Sequence, residues 1–550
     1  MKAILILGAG VMQGPVIRIA RQKGYRVCVA DGNDKALHVP DADQFIHVDL
    51  KDKEALATAA AGLSGLTGVM TAGTDFSASV AWVAQQLGLP GIPYEVALDA
   101  SDKARMRTRL AAAGVPVPAF AYGTLKDDPV SLAASLSSSS IHVGKASSST
   151  CGSSAYSKTL SPAYPLVVKP VDNMGARGCR LVCKTSELAA AWMDAVSQSR
   201  SGRAIIEEYL DGPEFSLDAI VNGDDIWIRG IADRHIHFEP YFIEMGHTMP
   251  TAYDPEIVDE VVAVFKSGIR ALGISRGAAK GDIKYTRKGA FVGEIAARLS
   301  GGYMSGWTYP HASGIEPAAE AIDLACGLDP EETQPLRNWV CAERAFISIP
   351  GRIKEIRNLE SAAAYPGVTE LFSRIAPGDR VNFPINNVEK CGNVIAAGVD
   401  RREVEAAASA AARSVLIRLA PGEASTAVFL DMDGSLNGDS EGTWPPPAYT
   451  GLSAMVLAGI ESLPDVLRIA DPIQTISVAP VQGLDAETAL DWQGRTLAEG
   501  LEAVRLLTGA GLGLDADLVL GRQFWRAFLR GGYQAAAWLI DTARSRNGTA

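Results

Sequence analysis

No apolar run in this 550-residue chain approaches the ~20 residues needed to cross a bilayer, so no membrane role is expected. Nor is there an excess of basic residues. Lys and Arg number 51 against 63 Asp and Glu, and the net charge of −12 argues against a general nucleic-acid or membrane-surface binder. No Cys-x-x-Cys occurs among the seven cysteines at 28, 151, 179, 183, 326, 341 and 391. An odd, unpatterned set fits free thiols in a reducing cytoplasm. The Walker A pattern G-x-x-x-x-G-K-[ST] is missing, which removes a P-loop. The opening MKAILILGAG has too short an apolar run for a signal peptide and no small-residue cleavage site, so it reads as a first strand. An apolar content of 47% and a charged content of 21% remain, those of a globular protein too long for one core. Three or four domains are expected.

Residues 1–118 alternate strand and helix: Ala3–Leu7, Gln13–Gln22, Arg26–Ala30 and so on to Phe76–Gln86. This predicts an α/β fold opening on a Rossmann-like domain. The turn Gly8-Ala9-Gly10-Val11-Met12-Gln13-Gly14 is one residue too long for the dinucleotide fingerprint, although Asp31 lies near the place of an NAD ribose acid. A domain used for packing and for one wall of a substrate site is the preferred reading. Thr71–Asp75 sits at the carboxyl edge, where such sheets bind ligands. Ser101 reads as the N-cap of the next helix. The Ser- and Ala-rich stretch 131–161 reads as a mobile insertion. A second domain is expected over 119–335 and a third over 336–421, with Arg401–Leu419 as an Ala-rich amphipathic helix. An extra α/β domain of unassigned role is expected over 426–550, with a strand at Ala427–Leu430 and helices at Thr488–Leu507 and Arg522–Arg546. Its Asp431-Met432-Asp433-Gly434 resembles a phosphatase nucleophile, but it lacks an evident companion lysine and reads as a turn.

Chemistry concentrates in residues 276–302. Strands over Gly277–Lys284 and Ala290–Ala296, joined at Arg287-Lys288-Gly289, make a hairpin that would set Asp282 beside Glu294. Two carboxylates, with Arg298 four residues on, suit a magnesium–phosphate centre, because Mg²⁺ prefers oxygen ligands. A surface hairpin with incidental charges is the plain alternative. Upstream, Leu166–Pro170 is a buried-type strand carrying Lys169. The loop Val171–Gly178, with Gly175 and Gly178, could close its N–H groups over phosphates. Ile205–Glu214 could present backbone to a purine and carboxylates to its amine and ribose, or could be a solvated acidic turn. His235, His237 and His247, near Glu239 and Glu244, suggest zinc only if a third ligand falls in register.

In order, these features are Asp102-Lys103, strand-Lys169-Pro, a glycine flap, Glu207-Glu-Tyr-Leu, Gly-x-Glu214, Asp282 and Glu294-x-x-x-Arg298. The series resembles the ATP-grasp superfamily over roughly residues 1–420, in its carbamoyl-phosphate-synthase-like branch that includes the L-amino acid ligases. The resemblance implies that Lys103 and Lys169 contact ATP phosphates beneath the flap. Glu207 would accept from the adenine amine, Leu210 would offer backbone to the ring, and Glu214 would hold the ribose. Asp282 and Glu294 would hold Mg²⁺, with Mn²⁺ as an alternative. Many relatives have Asn where this chain has Ala296, which puts the metal count in doubt. The segment Pro240–His247 is similar to one in the amino acid ligases, which implies that Glu244 meets a substrate ammonium. His247 and Arg298 would then form an oxyanion site, bordered by Gly301 and by Gly302, whose small side chain leaves room for a bulky substrate.

The implied activity is ATP-dependent carboxylate–amine ligation through an acyl phosphate. Its implied partners are small-molecule carboxylates and amines, and it leaves room for a homodimer. A carboxylase or ligase for other substrates, a nucleotide-binding sensor and, more distantly, an NAD-linked oxidoreductase are the alternatives.

Overall fold

Five consecutive apolar residues, Ala3–Leu7, form strand β1, and all are buried. A strand buried on both faces needs cover on both sides. Ile4 and Ile6 meet Val16, Ile17 and Ala20 on one side, while Ala3, Leu5 and Leu7 meet Leu56, Ala60 and Val83 on the other. In the computed structural model, which describes residues 1–137, 163–330, 332–431, 444–484 and 488–546, β1 is central to a parallel sheet. With β2 (Arg26–Asp31), β3 (Gln44–His47) and β4 (Leu66–Thr71), its order is β3-β2-β1-β4. This is the expected Rossmann-like start. Its glycine turn is closed on itself. The Gln13 amide oxygen accepts from Gly10 N–H at 2.9 Å and its NH₂ donates to the Ala72 carbonyl. Asp31 accepts from Ala9 N–H at 2.8 Å and Asn33 N–H at 2.9 Å. The groups a dinucleotide would use are thus engaged within the chain.

The chain divides into two compact units, Met1–Glu343 with Ala397–Arg401, and Arg344–Ala396 with Arg402–Ala550. Beyond the parallel sheet, the first unit holds an antiparallel sheet of order β5-β8-β6-β7. Its strands are β5 (Phe120–Thr124), β6 (Leu166–Pro170), β7 (Arg180–Val182) and β8 (Arg203–Glu208). Five more strands run in the order β13-β12-β9-β10-β11. These are β9 (Glu214–Asn222), β10 (Asp225–His237), β11 (Ile243–Met249), β12 (Arg276–Thr286) and β13 (Gly289–Ala296). Period-2 alternation gives this sheet its two faces. Phe215, Leu217, Ile283 and Ile295 meet Val261, Phe265 and Ile269 of the helix Pro255–Leu272. The intervening Lys280 and Asp282 project the other way.

In the second unit, strands Arg380–Val381, Gly351–Arg357 and Leu416–Leu419 form one small sheet. Another comprises Val466–Ile469, Leu518–Leu520, Ile476–Val478 and Gly511–Leu512. The helix Arg522–Arg546 kinks at Gly531 and at Gly532, whose φ is +62°.

Several expected boundaries differ. Ser101 ends the helix Tyr94–Ser101, and Asp102 is the N-cap of the next, accepting from Ala104 and Arg105 N–H at 3.0 Å each. Ala427–Leu430 is not a strand but lies in the helix Ala424–Asp431. A four-residue apolar run carries no usable period, and here the buried Thr426 and Phe429 fall three apart. The expected helix Arg401–Leu419 ends at Ser414, and its last four residues form a strand. The helix expected from Thr488 starts at Leu497, where Thr496 and Glu499 make a capping box. Residues 138–161 of the Ser-rich stretch, and 432–434 of the Asp-Met-Asp-Gly turn, lie outside the described residues. The six described cysteines are free.

A Cβ at Gly281 would stand 2.5 Å from the Phe265 ring. Gly281→Val should therefore lower stability by about 1–3 kcal/mol through overpacking. Thermal unfolding checks this, and an unchanged midpoint would contradict the packing.

Candidate active site

The hairpin of β12 and β13 sets Asp282 directly opposite Glu294. Like charges so placed repel, and cations surround them. The Lys280 ammonium, on the same face of β12, donates to the Asp282 carboxylate. Lys103 Nζ lies 3.6 Å from Glu294. Burial pushes the Glu294 carboxyl up, but Lys103, Lys280, Lys169 and Arg298 outweigh it and pull it down to about 2. Asp282 Oδ1 is buried and has no hydrogen-bond partner. An orphaned carboxylate oxygen beside a second carboxylate fits a hard divalent cation.

Arg234 on β10 lies at the middle of the acidic residues. Its guanidinium donates to Glu214, meets Glu244 at 2.8 Å and reaches Asp282 at 3.1 Å. Burial alone would lower its pKa, but Asp282, Glu244 and Glu214 hold it well above the usual value. Three residues expected to serve ribose, substrate and metal thus share one buried cation. Glu214 also has Lys284 Nζ at 3.6 Å.

The residues expected to meet phosphate also converge. Lys169, on β6, pairs with Glu207 Oε2 on β8 at 2.7 Å. Arg107 Nε lies 2.8 Å from Glu207 Oε1. Burial raises the Glu207 carboxyl, yet Arg107 and Lys169 bring it below its ordinary value. Both oxygens of the expected adenine contact therefore face cations of the chain. Lys103 Nζ donates to the Asn173 carbonyl in the flap at 2.8 Å. Asp172 anchors the flap by accepting from Arg200 N–H at 2.9 Å and Ser201 N–H at 2.8 Å. Gly175, Ala176 and Gly178 take φ of +68°, +60° and +68°, which bends the loop locally. Leu210 lies half-buried in the link from β8 to β9.

His247, wholly buried on β11, contacts Thr308 Oγ1 at 3.0 Å, Glu343 at 3.3 Å and Glu244 at 4.0 Å. Arg298 donates from Nη1 to the Leu299 carbonyl at 3.0 Å, and its Nε is buried without a partner. The Gly301–Gly302 bend is held from below. Asp218 accepts from Ser300 and, at 2.8 Å, from Ser305, while Ser305 Oγ accepts from Ser300 N–H at 2.8 Å. Gly302 has φ +61°, and the nearest atom to a Cβ there is Glu244 Oε1 at 4.0 Å. Space beside Gly302 therefore opens toward Glu244. Gly301 lies close to the Gly73 carbonyl, 3.3 Å from a Cβ placed on it. The histidines do not assemble. His247 is registered with Arg234, which puts His235 on the opposite face, and among the described residues no group of three His, Cys, Asp or Glu is placed to hold a metal.

The sequence reading missed Arg107, Arg234, Lys280 and Asp218. Arg107 follows Lys103 by four residues, one helical turn, and Lys280 precedes Asp282 by two on a strand. Those spacings were usable signals. Arg234 and Asp218 carried none, since strand pairing alone brings them in.

The depressed Glu294 carboxyl gives a pH prediction. Its stabilising effect is complete above its ordinary value of 4.5 and is lost as pH falls through about 2. In metal-free buffer the melting temperature should decline across that window, and less steeply in Glu294→Gln. Equal slopes would contradict the assignment.

Residues 162–306 match the ATP-grasp domain, and residues 345–420 match the L-amino acid ligase C-terminal domain 2. The chain is 25% identical over 361 residues to the uncharacterized protein y4rH of Sinorhizobium fredii, covering 65% of this chain and 69% of that one. It is 29% identical over 154 residues to the carbamoyl phosphate synthase large chain of Clostridium acetobutylicum, 26% of this chain but only 14% of that protein. The crystal structure of an L-amino acid ligase from Bacillus licheniformis shares the fold, with a TM-score of 0.64 at 21% identity. That match covers 76% of this chain and 99% of the other.

Proposed function

We propose ATP-dependent ligation of a carboxylate to an amine, with an amino acid as one substrate, for this chain, whose residues 162–306 match the ATP-grasp domain. The observation that carries this reading is the convergence of Asp282, Glu294, Lys103, Lys169 and Arg298 on one centre, next to Glu244 and His247.

A carboxylate is a poor electrophile at neutral pH. In the proposed reaction its oxygen attacks the γ-phosphorus of ATP, the bond to the bridging oxygen breaks, and ADP leaves. The acyl phosphate so formed is attacked at carbon by the amine, which loses a proton. Phosphate departs with one of the original carboxylate oxygens, leaving an amide or dipeptide. Mg²⁺ held by Asp282 and Glu294 would neutralise charge on the phosphates. Lys103 and Lys169 bind and orient the same phosphates, and the flap over Asp172–Gly178 excludes water that would hydrolyse the acyl phosphate. Glu214 would hold the ribose hydroxyls, and the Leu210 backbone would meet the base. Arg298, with its unpartnered Nε, and His247 stabilise the oxyanion at the acyl carbon. Glu244 takes the substrate ammonium, and the opening beside Gly302 admits its side chain.

Phosphate release from Mg-ATP across amino acids, singly and in pairs, tests the reading. Release that requires two particular amino acids is expected. Release with bicarbonate, or silence across the panel, would overturn the substrate assignment. Gly302→Asn, which tolerates the left-handed backbone better than most residues, should raise KM for bulky amino acids by about tenfold and leave KM for ATP alone. Parallel changes in both would place Gly302 outside the substrate site.

A further inference from the structure

Arg107 is one of the largest fully buried side chains, and nothing in the proposed reaction yet uses it. It stands one turn after Lys103 in the helix Lys103–Ala112, so both residues share a face. From that face its guanidinium reaches two other elements. Nη2 donates to the Gly293 carbonyl at 2.6 Å, the residue before Glu294 on β13. Nε lies 2.8 Å from Glu207 Oε1 on β8, whose other oxygen holds Lys169 at 2.7 Å. One side chain thus ties the strand of a proposed metal ligand to the pair that carries a proposed phosphate ligand.

We propose that Arg107 is a positioning residue for ATP, which keeps Lys169 available to the phosphates by satisfying Glu207. The proposal rests on the reading that Lys169 meets ATP phosphates. The physical argument is one of charge. Glu207 is buried, and a buried carboxylate must be paired. With Arg107 present, the Arg107–Glu207–Lys169 trio carries one net positive charge, which is free to attract phosphate. Without Arg107 the one cation left in ion-pair contact with Glu207 among the described residues is Lys169, and that pair is neutral. Lys169 is then held by Glu207, and the phosphates lose a cation although no phosphate ligand has been removed. Arg suits the position because its fork meets a carboxylate and a carbonyl at once, whereas a lysine offers one point charge.

This predicts an effect that runs through Glu207. The test is equilibrium binding of Mg-ATP, with KM for ATP and kcat, in wild type, Glu207→Gln, Arg107→Met, Arg107→Lys and the two double variants. Melting temperatures establish which variants fold. Arg107→Met should weaken Mg-ATP binding at least tenfold, with KM rising more than kcat falls. Arg107→Lys, the milder change in case the methionine variant does not fold, should weaken it three- to tenfold. In the Glu207→Gln background each Arg107 change should cost less than threefold, because no carboxylate remains to capture Lys169. Unchanged Mg-ATP affinity in either folded single variant would overturn the proposal. So would losses of the same size with and without the Glu207 carboxylate, which mark a merely structural residue. If wild type itself fails to bind Mg-ATP, the functional reading falls and this proposal falls with it.

Discussion

Two carboxylates facing each other across a β-ladder repel, and the first unit is arranged to answer that repulsion. Asp282 and Glu294 are held together by the register of β12 and β13, which the packing of Gly281 and Ile283 against the helix Pro255–Leu272 enforces. A slip of one residue would carry the carboxylates into the core. The apolar face thus fixes the acids, and the acids recruit the cations. Lys280, Arg234, Lys103 and Arg298 come from four separate segments, each placed by its own local structure. These cations neutralise the acids. With a metal on the acids, the same cations would be left to face phosphate.

Much of this was legible in the sequence where signals are local. The hairpin followed from two β-rich runs around a Lys-Gly turn, and its register set Asp282 beside Glu294 as expected. The Rossmann-like opening followed from apolar runs alternating with helical periods. Short apolar segments failed for a physical reason. Ala427–Leu430 has no period of its own, and the burial of Thr426 and Phe429 decided it as helix. Ser101 against Asp102 as N-cap was decided by which side chain reaches the free N–H groups, a choice between two good capping residues.

The charge network was less legible, because it is a property of pairing between distant strands. Arg234 is 48 residues from Asp282 and meets it because both their strands flank β9. The isolated meaning of Glu207 also changed with context. In sequence it is a carboxylate in an acidic turn, whereas in the fold it is buried between Arg107 and Lys169. The glycine turn at Gly8 changed in the opposite sense, since its fingerprint-like residues are engaged by Gln13 and Asp31 of the same chain.

The Asp282–Glu294 centre is proposed to deliver the γ-phosphoryl group to a carboxylate oxygen. The most direct measurement uses an amino acid that supports phosphate release, labelled with ¹⁸O in its carboxylate, and follows the label into inorganic phosphate. One labelled oxygen in the phosphate is expected for each turnover, abolished with Asp282→Asn. Phosphate released at the normal rate without the label would mean that water, not the carboxylate, is the acceptor, and would contradict it.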